Sequence, residues 1–278
     1  MTVGIIGLGL IGGSMAKAYK KNSDCTVLAA DRDHTTVEYA RLQGAVDGEL
    51  TPEGISSCDL ILIALYPQAA IEYLKDIAHR IAKDALVIDL CGTKRTICEV
   101  GFALAKEFGF TFVGGHPMAG TQYSGFKHAR DTLFNGASMV LVPPTFDDIF
   151  LLDRVKKVLA PAGFGRMTVT TADQHDEMIA FTSQLAHVVS NAYVKSPTAR
   201  SHKGFSAGSY KDLTRVARLN EEMWSELFIE NKKHLVSELD TLIQSLTEYR
   251  NAIRDGDSDA TRSLLKDGRE AKESIDGK

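Results

Sequence analysis

Apolar and polar positions follow two regimes along this chain. In the first half, short continuous apolar runs at residues 3–7, 26–30, 60–65, 86–89, 111–114 and 139–142 alternate with helical spacing, as at 69–81 and 96–108. A run that is apolar without interruption needs cover on both faces. The pattern therefore predicts a parallel sheet between two layers of helices. After Pro143 and Pro144 come a helix-like run and one more possible strand, 166–170. Beyond Thr171 the period changes. Met178, Phe181, Thr182, Leu185, Val188, Val189 and Ala192 recur at helical spacing. A second amphipathic stretch runs from Asn220, a good N-cap, to about residue 254, and a third covers 258–274. The expectation is an α/β domain over residues 1–170 followed by an all-helical domain over 171–278.

Composition narrows the classes. At 44% hydrophobic and 24% charged residues the chain can bury a core, which argues against disorder. Its 32 basic and 36 acidic residues give a formal net charge of −4. That leaves no cationic excess for a phosphate backbone, so no nucleic-acid partner is expected. Cys25, Cys58, Cys91 and Cys98 form no CxxC pair and have no histidine cluster at zinc-ligand spacing. They read as reduced thiols, with no metal site. The chain enters its first strand without a basic leader segment, and its apolar runs fall below the roughly 18 residues that span a bilayer. A cytoplasmic protein with no membrane partner is expected.

The strongest local signal is Gly7-Leu8-Gly9-Leu10-Ile11-Gly12, directly after a strand and opening a helix. Glycine serves the tight turn at Gly7, close approach to a pyrophosphate at Gly9, and helix–strand packing at Gly12. The anion would sit on the helix N-terminus, against Leu10 and Ile11, where free N–H groups and the dipole favour it. A second strand ends at Asp31, about twenty residues on, where a carboxylate accepts from an adenosine ribose. A carboxylate there repels a 2′-phosphate, so NAD is favoured over NADP, although Arg32 could neutralise that phosphate. Tyr66 and Pro67, after the 60–65 run, and Thr93 complete the expected cofactor-binding set. The first domain is thus read as a Rossmann-type dinucleotide-binding domain.

A dinucleotide fold does not name a reaction. Gly114-Gly115-His116-Pro117-Met118-Ala119-Gly120-Thr121 follows the sixth apolar run, and ligands of such sheets bind at the carboxyl ends of strands. His116 should therefore face the nicotinamide crevice, and imidazole is the side chain suited to take a hydroxyl proton near neutral pH.

From here the chain resembles the prephenate and arogenate dehydrogenases. Gly115-His116-Pro117-Met118-Ala119-Gly120 with Gly125 is similar to that family's GxHPMxGxxxxG motif. Gln174-His175-Asp176, Ala180 and Ser183 through His187 resemble its HD-xxxA-xxS-xxxH segment. Asp212-Leu213-Thr214-Arg215, Met223-Trp224 and Asn231 follow in the family's order. The resemblance implies NAD-dependent oxidative decarboxylation of prephenate, or of arogenate, in tyrosine biosynthesis. It implies that His116 accepts the substrate hydroxyl proton while the ring hydrogen passes to NAD, and that the all-α domain dimerises to form a homodimer.

In the same reading Arg215 takes a substrate carboxylate with its planar fork, or pairs with Asp212 three residues earlier. His187 is a second polar contact, with Gln184 on the same helical face. Thr121, Gln122 and Trp224 complete the substrate-binding set; Trp224 is either pocket wall or core. His175 falls about 180° from Gln184 on a straight helix, so its place near the chemistry stays open. Two departures stand out. Gly92 occupies a position where the family usually has a serine supporting the histidine, and Thr93 or a water is expected to replace that hydroxyl. Gln122 stands where many relatives have Glu. Other classes considered are a 3-hydroxyacid or imine-reducing dehydrogenase and a non-catalytic NAD-sensing module. Neither accounts for the 115–120 segment together with Arg215.

Overall fold

The computed structural model describes residues 1–121 and 123–277, and the chain divides into two compact units, Met1–Asn231 and Lys232–Lys278. In the first unit the strands are β1 (Thr2–Ile6), β2 (Thr26–Ala30), β3 (Gly48–Glu49), β4 (Leu60–Ile63), β5 (Leu86–Asp89), β6 (Thr111–Pro117), β7 (Ser138–Val142) and β8 (Arg166–Val169). Among the described residues they form one sheet in the order β3-β2-β1-β4-β5-β6-β7-β8. Helices α1 (Leu10–Asn22), α2 (His34–Leu42), α3 (Pro67–Ile77), α4 (Arg95–Phe108) and α5 (Ile149–Leu159) make the crossovers. The order reverses between β1 and β4, which opens the crevice at the strand ends where dinucleotides bind.

Both faces of the sheet are covered, as the uninterrupted apolar runs require. Leu60 and Leu62 of β4 pack with Met15, Tyr19 and Val155 on one side. Ile61 and Ile63 pack with Leu74, Ile97 and Phe112 on the other. Alternate residues of one strand thus serve two cores.

Two features differ from the sequence reading. β3 is a two-residue strand, too short to leave a pattern. β7 runs antiparallel to β6, where a parallel sheet was expected. The reason is the connection: among the described residues between β6 and β7 the chain forms turns and one 3-10 turn, Phe126–His128, and no crossover helix to carry it back to the starting edge.

The helical half begins within the first unit. α6 (Ala172–Ile179), a π-helical turn (Ala180–Leu185), α7 (Ala186–Tyr193), α8 (Gly208–Thr214) and α9 (Glu221–Glu230) belong in space with the sheet. Thr171 caps α6 and Asn220 caps α9 through side-chain oxygens. The single helix expected over 220–254 is two, because Asn231 ends α9 and turns its amide inward, donating to Asp176 O at 2.7 Å and Gln184 Oε1 at 2.8 Å. The second unit is a hairpin of α10 (Lys232–Arg254) and α11 (Ser258–Ile275), turned at Gly256 with φ +67° and closed by Tyr249 Oη donating to Leu264 O. Val236, Ile243, Leu246, Ile253 and Leu265 leave apolar side chains exposed on it.

Candidate active site

The loop after β1 is shaped by what it lacks. Gly7 has φ +88°, and a Cβ on it would lie 2.6 Å from the Ala64 carbonyl oxygen. A Cβ on Gly12 would meet the Gly7 oxygen at 1.8 Å, so α1 starts directly against the loop. Gly9 differs: a Cβ there meets nothing within 4 Å. Its neighbourhood is open space at the N-cap of α1, and no side chain caps that helix end. Free N–H groups facing open space fit a pyrophosphate. Asp31 lies just past β2, accepting from Leu8 N at 2.7 Å and Asp33 N at 3.0 Å, so its carboxylate is held against the loop. Arg32 beside it is exposed. Tyr66, exposed, and Pro67, buried, begin α3 at the end of β4. These residues together fit NAD.

A buried ion pair organises the next loop. Asp89 ends β5 and Lys94 is the N-cap residue of α4; the side chains bond with no exposed surface on either. Asp89 also accepts from Cys91 N at 3.0 Å and Gly115 N at 3.2 Å, which ties the loop to β6. Burial works against the Lys94 charge, but Asp89 and the nearby Cys91 and Cys98 outweigh it and raise its pKa. A pair this deep depends on further hydrogen bonds, which Asp89 receives from the two backbone N–H groups.

His116 stands near the carboxyl end of β6, partly buried, with its Nδ1 2.9 Å from His175 Nε2. His175 Nδ1 is in turn 2.8 Å from Asp176 Oδ1. Asp176 accepts from Lys94 N at 2.7 Å, Arg95 N at 3.0 Å and Arg95 Nε at 3.3 Å. The middle of α6 is thereby bolted to the start of α4. Burial pushes His116 well below the ordinary imidazole range, and the charges of His175 and Lys94 add to it. Burial also lowers His175, over the opposing pull of Asp176. For Asp176 burial acts upward, but the hydrogen bonds from His175 and the α4 backbone prevail and lower it.

The π-helical turn explains why the sequence left His175 open. One extra residue in the turn shifts the helical phase by about 100°, so nine residues behave as roughly eight. His175 and Gln184 then lie nearer 80° apart, and both are buried. Gln184 requires a correction. Its Nε2 donates to Leu227 O at 3.1 Å and its Oε1 accepts from Asn231, so its amide is spent inside the protein and does not reach a substrate.

His187, half-buried, pairs its Nδ1 with Ser183 O at 2.8 Å and stacks on Trp224 with ring centroids 3.9 Å apart. Burial lowers its pKa, and the charge of Arg215 lowers it further. Arg215 caps the end of α8, exposed, and has no hydrogen bond or ion pair to another described residue; the alternative pairing with Asp212 is not made. Thr121 is exposed and bonds within its own turn to Tyr123. Gln122 lies outside the described residues.

Thr93 does not support His116. It is buried, and its hydroxyl donates to the Glu230 carboxylate, whose pKa burial raises. A Cβ at Gly92 would come within 3.2 Å of Leu227 Cδ2, so a serine there would press on α9. The contact expected from a hydroxyl comes instead from His175. The sequence signal for it was present in the His175-Asp176 pair; what was missing was the phase of the helix.

A sheet with a glycine loop and open space beside Gly9 at its switch point, and an imidazole whose pKa burial lowers near the end of β6, has the parts of an NAD-dependent dehydrogenase. Residues 15–168 match the family model described as "Prephenate dehydrogenase, nucleotide-binding domain", and residues 171–267 the one described as "Prephenate dehydrogenase, dimerization domain". The chain belongs to the prephenate dehydrogenase family. It is 29% identical over 280 residues to the prephenate dehydrogenase of Lactococcus lactis, covering 98% of this chain and 77% of that protein. Among solved structures it is similar to prephenate dehydrogenase from A. aeolicus in complex with hydroxyphenyl propionate and NAD+. That match has a TM-score of 0.84 and 25% identity over 99% of this chain and 98% of that one. It is similar also to Synechocystis arogenate dehydrogenase, with a TM-score of 0.80 and 25% identity over 99% of this chain and 100% of that one.

Proposed function

We propose that this chain oxidises prephenate, or its amino counterpart arogenate, with NAD and loss of CO2, as a cytoplasmic enzyme of tyrosine biosynthesis. The observation that carries the reading is His116, a histidine kept neutral by burial at the carboxyl end of β6 beside a dinucleotide loop. A neutral imidazole can accept a proton, whereas an imidazolium cannot.

The substrate ring carries a hydroxyl and a hydrogen on one carbon and a carboxylate opposite. NAD, when bound, would supply the acceptor for that hydrogen and its electron pair. His116 accepts the hydroxyl proton, which turns the alcohol into a carbonyl. Loss of the ring carboxylate as CO2 leaves its bond electrons in the ring, and the proton returns to the resulting phenolate oxygen. The chain's own work is to orient the ring and hold one proton.

Arg215, with no internal ion pair, suits a substrate carboxylate in a bidentate contact. The lowering of the His187 pKa by the Arg215 charge supports a shared site for the two, with Trp224 stacked behind His187. Thr121 would line the same opening. On the cofactor side, Gly7, Gly9, Leu10, Ile11 and Gly12 would hold the pyrophosphate. Asp31 would hold the adenosine ribose, with Arg32 beside it, and Tyr66, Pro67 and Thr93 would lie farther along the crevice, past the ends of β4 and β5. NAD rather than NADP follows from the Asp31 carboxylate. The domain boundary at residue 170 is retained as a functional division, and the second half is read as the homodimer-forming part. The exposed apolar side chains of α10 and α11 support that reading. Among the described residues no helix is long and apolar enough to cross a membrane.

The test is NADH formation from prephenate and from arogenate, each with NAD and with NADP. Turnover with NAD is expected, reduced by about 10²–10⁴-fold in His116→Ala. No turnover of either substrate with either cofactor would overturn the proposal.

A further inference from the structure

The mechanism needs one ring nitrogen of His116 to be bare. Hydrogen-bond bookkeeping along the side chains behind it decides which. Asp176 stands at one end of the chain, accepting the backbone N–H groups of Lys94 and Arg95 and the Arg95 Nε–H. A carboxylate that collects N–H donors is ionised and can only accept. His175 Nδ1, 2.8 Å away, must therefore carry a hydrogen and donate it to Asp176. In a neutral imidazole only one nitrogen is protonated, so His175 Nε2 offers a lone pair. That lone pair faces His116 Nδ1 at 2.9 Å, and the contact holds only if His116 donates. The remaining nitrogen of His116, Nε2, is then unprotonated.

We propose that His175 and Asp176 are positioning residues that lock His116 in the tautomer with hydrogen on Nδ1 and a bare Nε2, and that Nε2 is the atom that takes the substrate's hydroxyl proton. The inference rests on the reaction proposed above. His175 and Asp176 touch His116 or its support, not the reacting atoms, and serve as the orienting partner that a general base requires.

The charges around the pair act in the same sense. The Lys94 charge acts on both imidazoles and disfavours a second positive charge there, so burial and Lys94 together hold His175 toward its neutral form against the pull of Asp176. Were His175 protonated, it would donate to His116 Nδ1 and force the hydrogen onto Nε2, leaving no base. When His116 receives the proton on Nε2, its Nδ1–H bond to His175 becomes charge-assisted and strengthens. This arrangement also accounts for Gly92: with an imidazole holding Nδ1, no hydroxyl is needed at that position.

The experiment reads the tautomer directly. The full-length protein, labelled with 15N in its eight histidines, is examined by long-range 1H–15N correlation NMR near neutral pH without substrate. The His116 signals are identified by their loss in His116→Gln. The parent is expected to show hydrogen on Nδ1 and a bare Nε2. His175→Ala should give a mixture of tautomers, with kcat down about a hundredfold or more and the substrate KM within about threefold. His175→Gln restores an amide oxygen able to accept from Nδ1–H, and should regain the Nδ1–H form and at least about tenfold in kcat over His175→Ala.

Hydrogen on Nε2 in the parent, or His175→Ala with parental kcat, would overturn the assignment. So would a His175→Ala variant that unfolds, if His175→Gln folds like the parent yet has neither the tautomer nor the activity. A parent that turns over neither substrate would sink the proposed reaction instead, while the NMR spectrum still decides the tautomer.

Discussion

The glycine loop at Gly7–Gly12 and the imidazole–carboxylate chain of His116, His175 and Asp176 solve opposite problems. The loop works by leaving atoms out. A Cβ at Gly12 has no room, one at Gly9 has only open space, and the anion-binding groups are backbone N–H groups that any sequence possesses. The second region works by putting side chains in, with His116 and His175 59 positions apart, and by linking buried ring nitrogens and a carboxylate in one chain of contacts. A site made of backbone is robust to pH and sensitive to any added carbon. One made of buried ionisable side chains is the reverse.

Acid should separate the two most strongly. His116 and His175 have ordinary unfolded pKa values of about 6.5, and burial lowers both in the folded protein. Below about pH 6.5 the unfolded chain therefore binds protons that the folded chain does not. Stability is fully present above that value and is lost as pH falls toward the folded values, by up to about 1.4 kcal/mol per pH unit for each histidine. Asp176, also lowered, acts in the same direction at still lower pH, through its folded pKa. Glu230, raised by burial, has the opposite sign: its carboxyl gains a proton in the folded state first, which offsets part of the loss. The expected outcome is a urea midpoint clearly lower at pH 5.5 than at pH 7.5. An unchanged midpoint would mean that both imidazoles can charge in place, and the contrast between the two regions would dissolve.

How much of this was legible in the sequence follows from the same contrast. The glycine loop and its following acid are local, so residues 7–12 and 31 could be read off directly, as could the strands whose alternate residues face two cores. His116 was legible because it follows a strand. The sequence shows His175 but not its place, because the phase of a straight α-helix does not hold through the π-helical turn at Ala180–Leu185. Gln184 was misplaced by side-chain partners that the sequence does not link: its amide is consumed by Leu227 and Asn231, more than forty positions away. The β6–β7 reversal was invisible for another reason. A strand's direction depends on the path of its connection, and that connection has no helical period to read.

Within the loop itself, one pair of substitutions sharpens the comparison. Gly12→Ala adds a carbon where the Gly7 oxygen stands, and should cost about 1–3 kcal/mol of stability as the helix is pushed from the strand. Gly9→Ala adds the same carbon to open space, so the melting temperature should hold while the KM for NAD rises about tenfold, about 1.4 kcal/mol of lost binding. Thermal melts and cofactor titrations on both variants read the two effects apart. If Gly9→Ala melted early with its NAD affinity intact, the opening beside α1 would be structural and not a cofactor cradle.

The smallest effect is expected at Thr93, which precedes Lys94, the residue whose backbone N–H donates to Asp176. A hydroxyl that supported His116 would be worth a large factor in kcat, because an unsupported base loses its orientation. In this structure the hydroxyl is engaged by Glu230 on α9, so it steadies a helix and not the base. Thr93→Ala removes one hydrogen bond to a group that burial already inclines toward its neutral form, at a net cost of about 0.5–1.5 kcal/mol in stability. The kcat should stay within about threefold of the parent, while the melting temperature falls by a few degrees. A hundredfold loss of kcat with an unchanged melting temperature would reverse the assignment: the hydroxyl would then serve His116 during turnover, and the imidazole chain would share its role with the loop after β5.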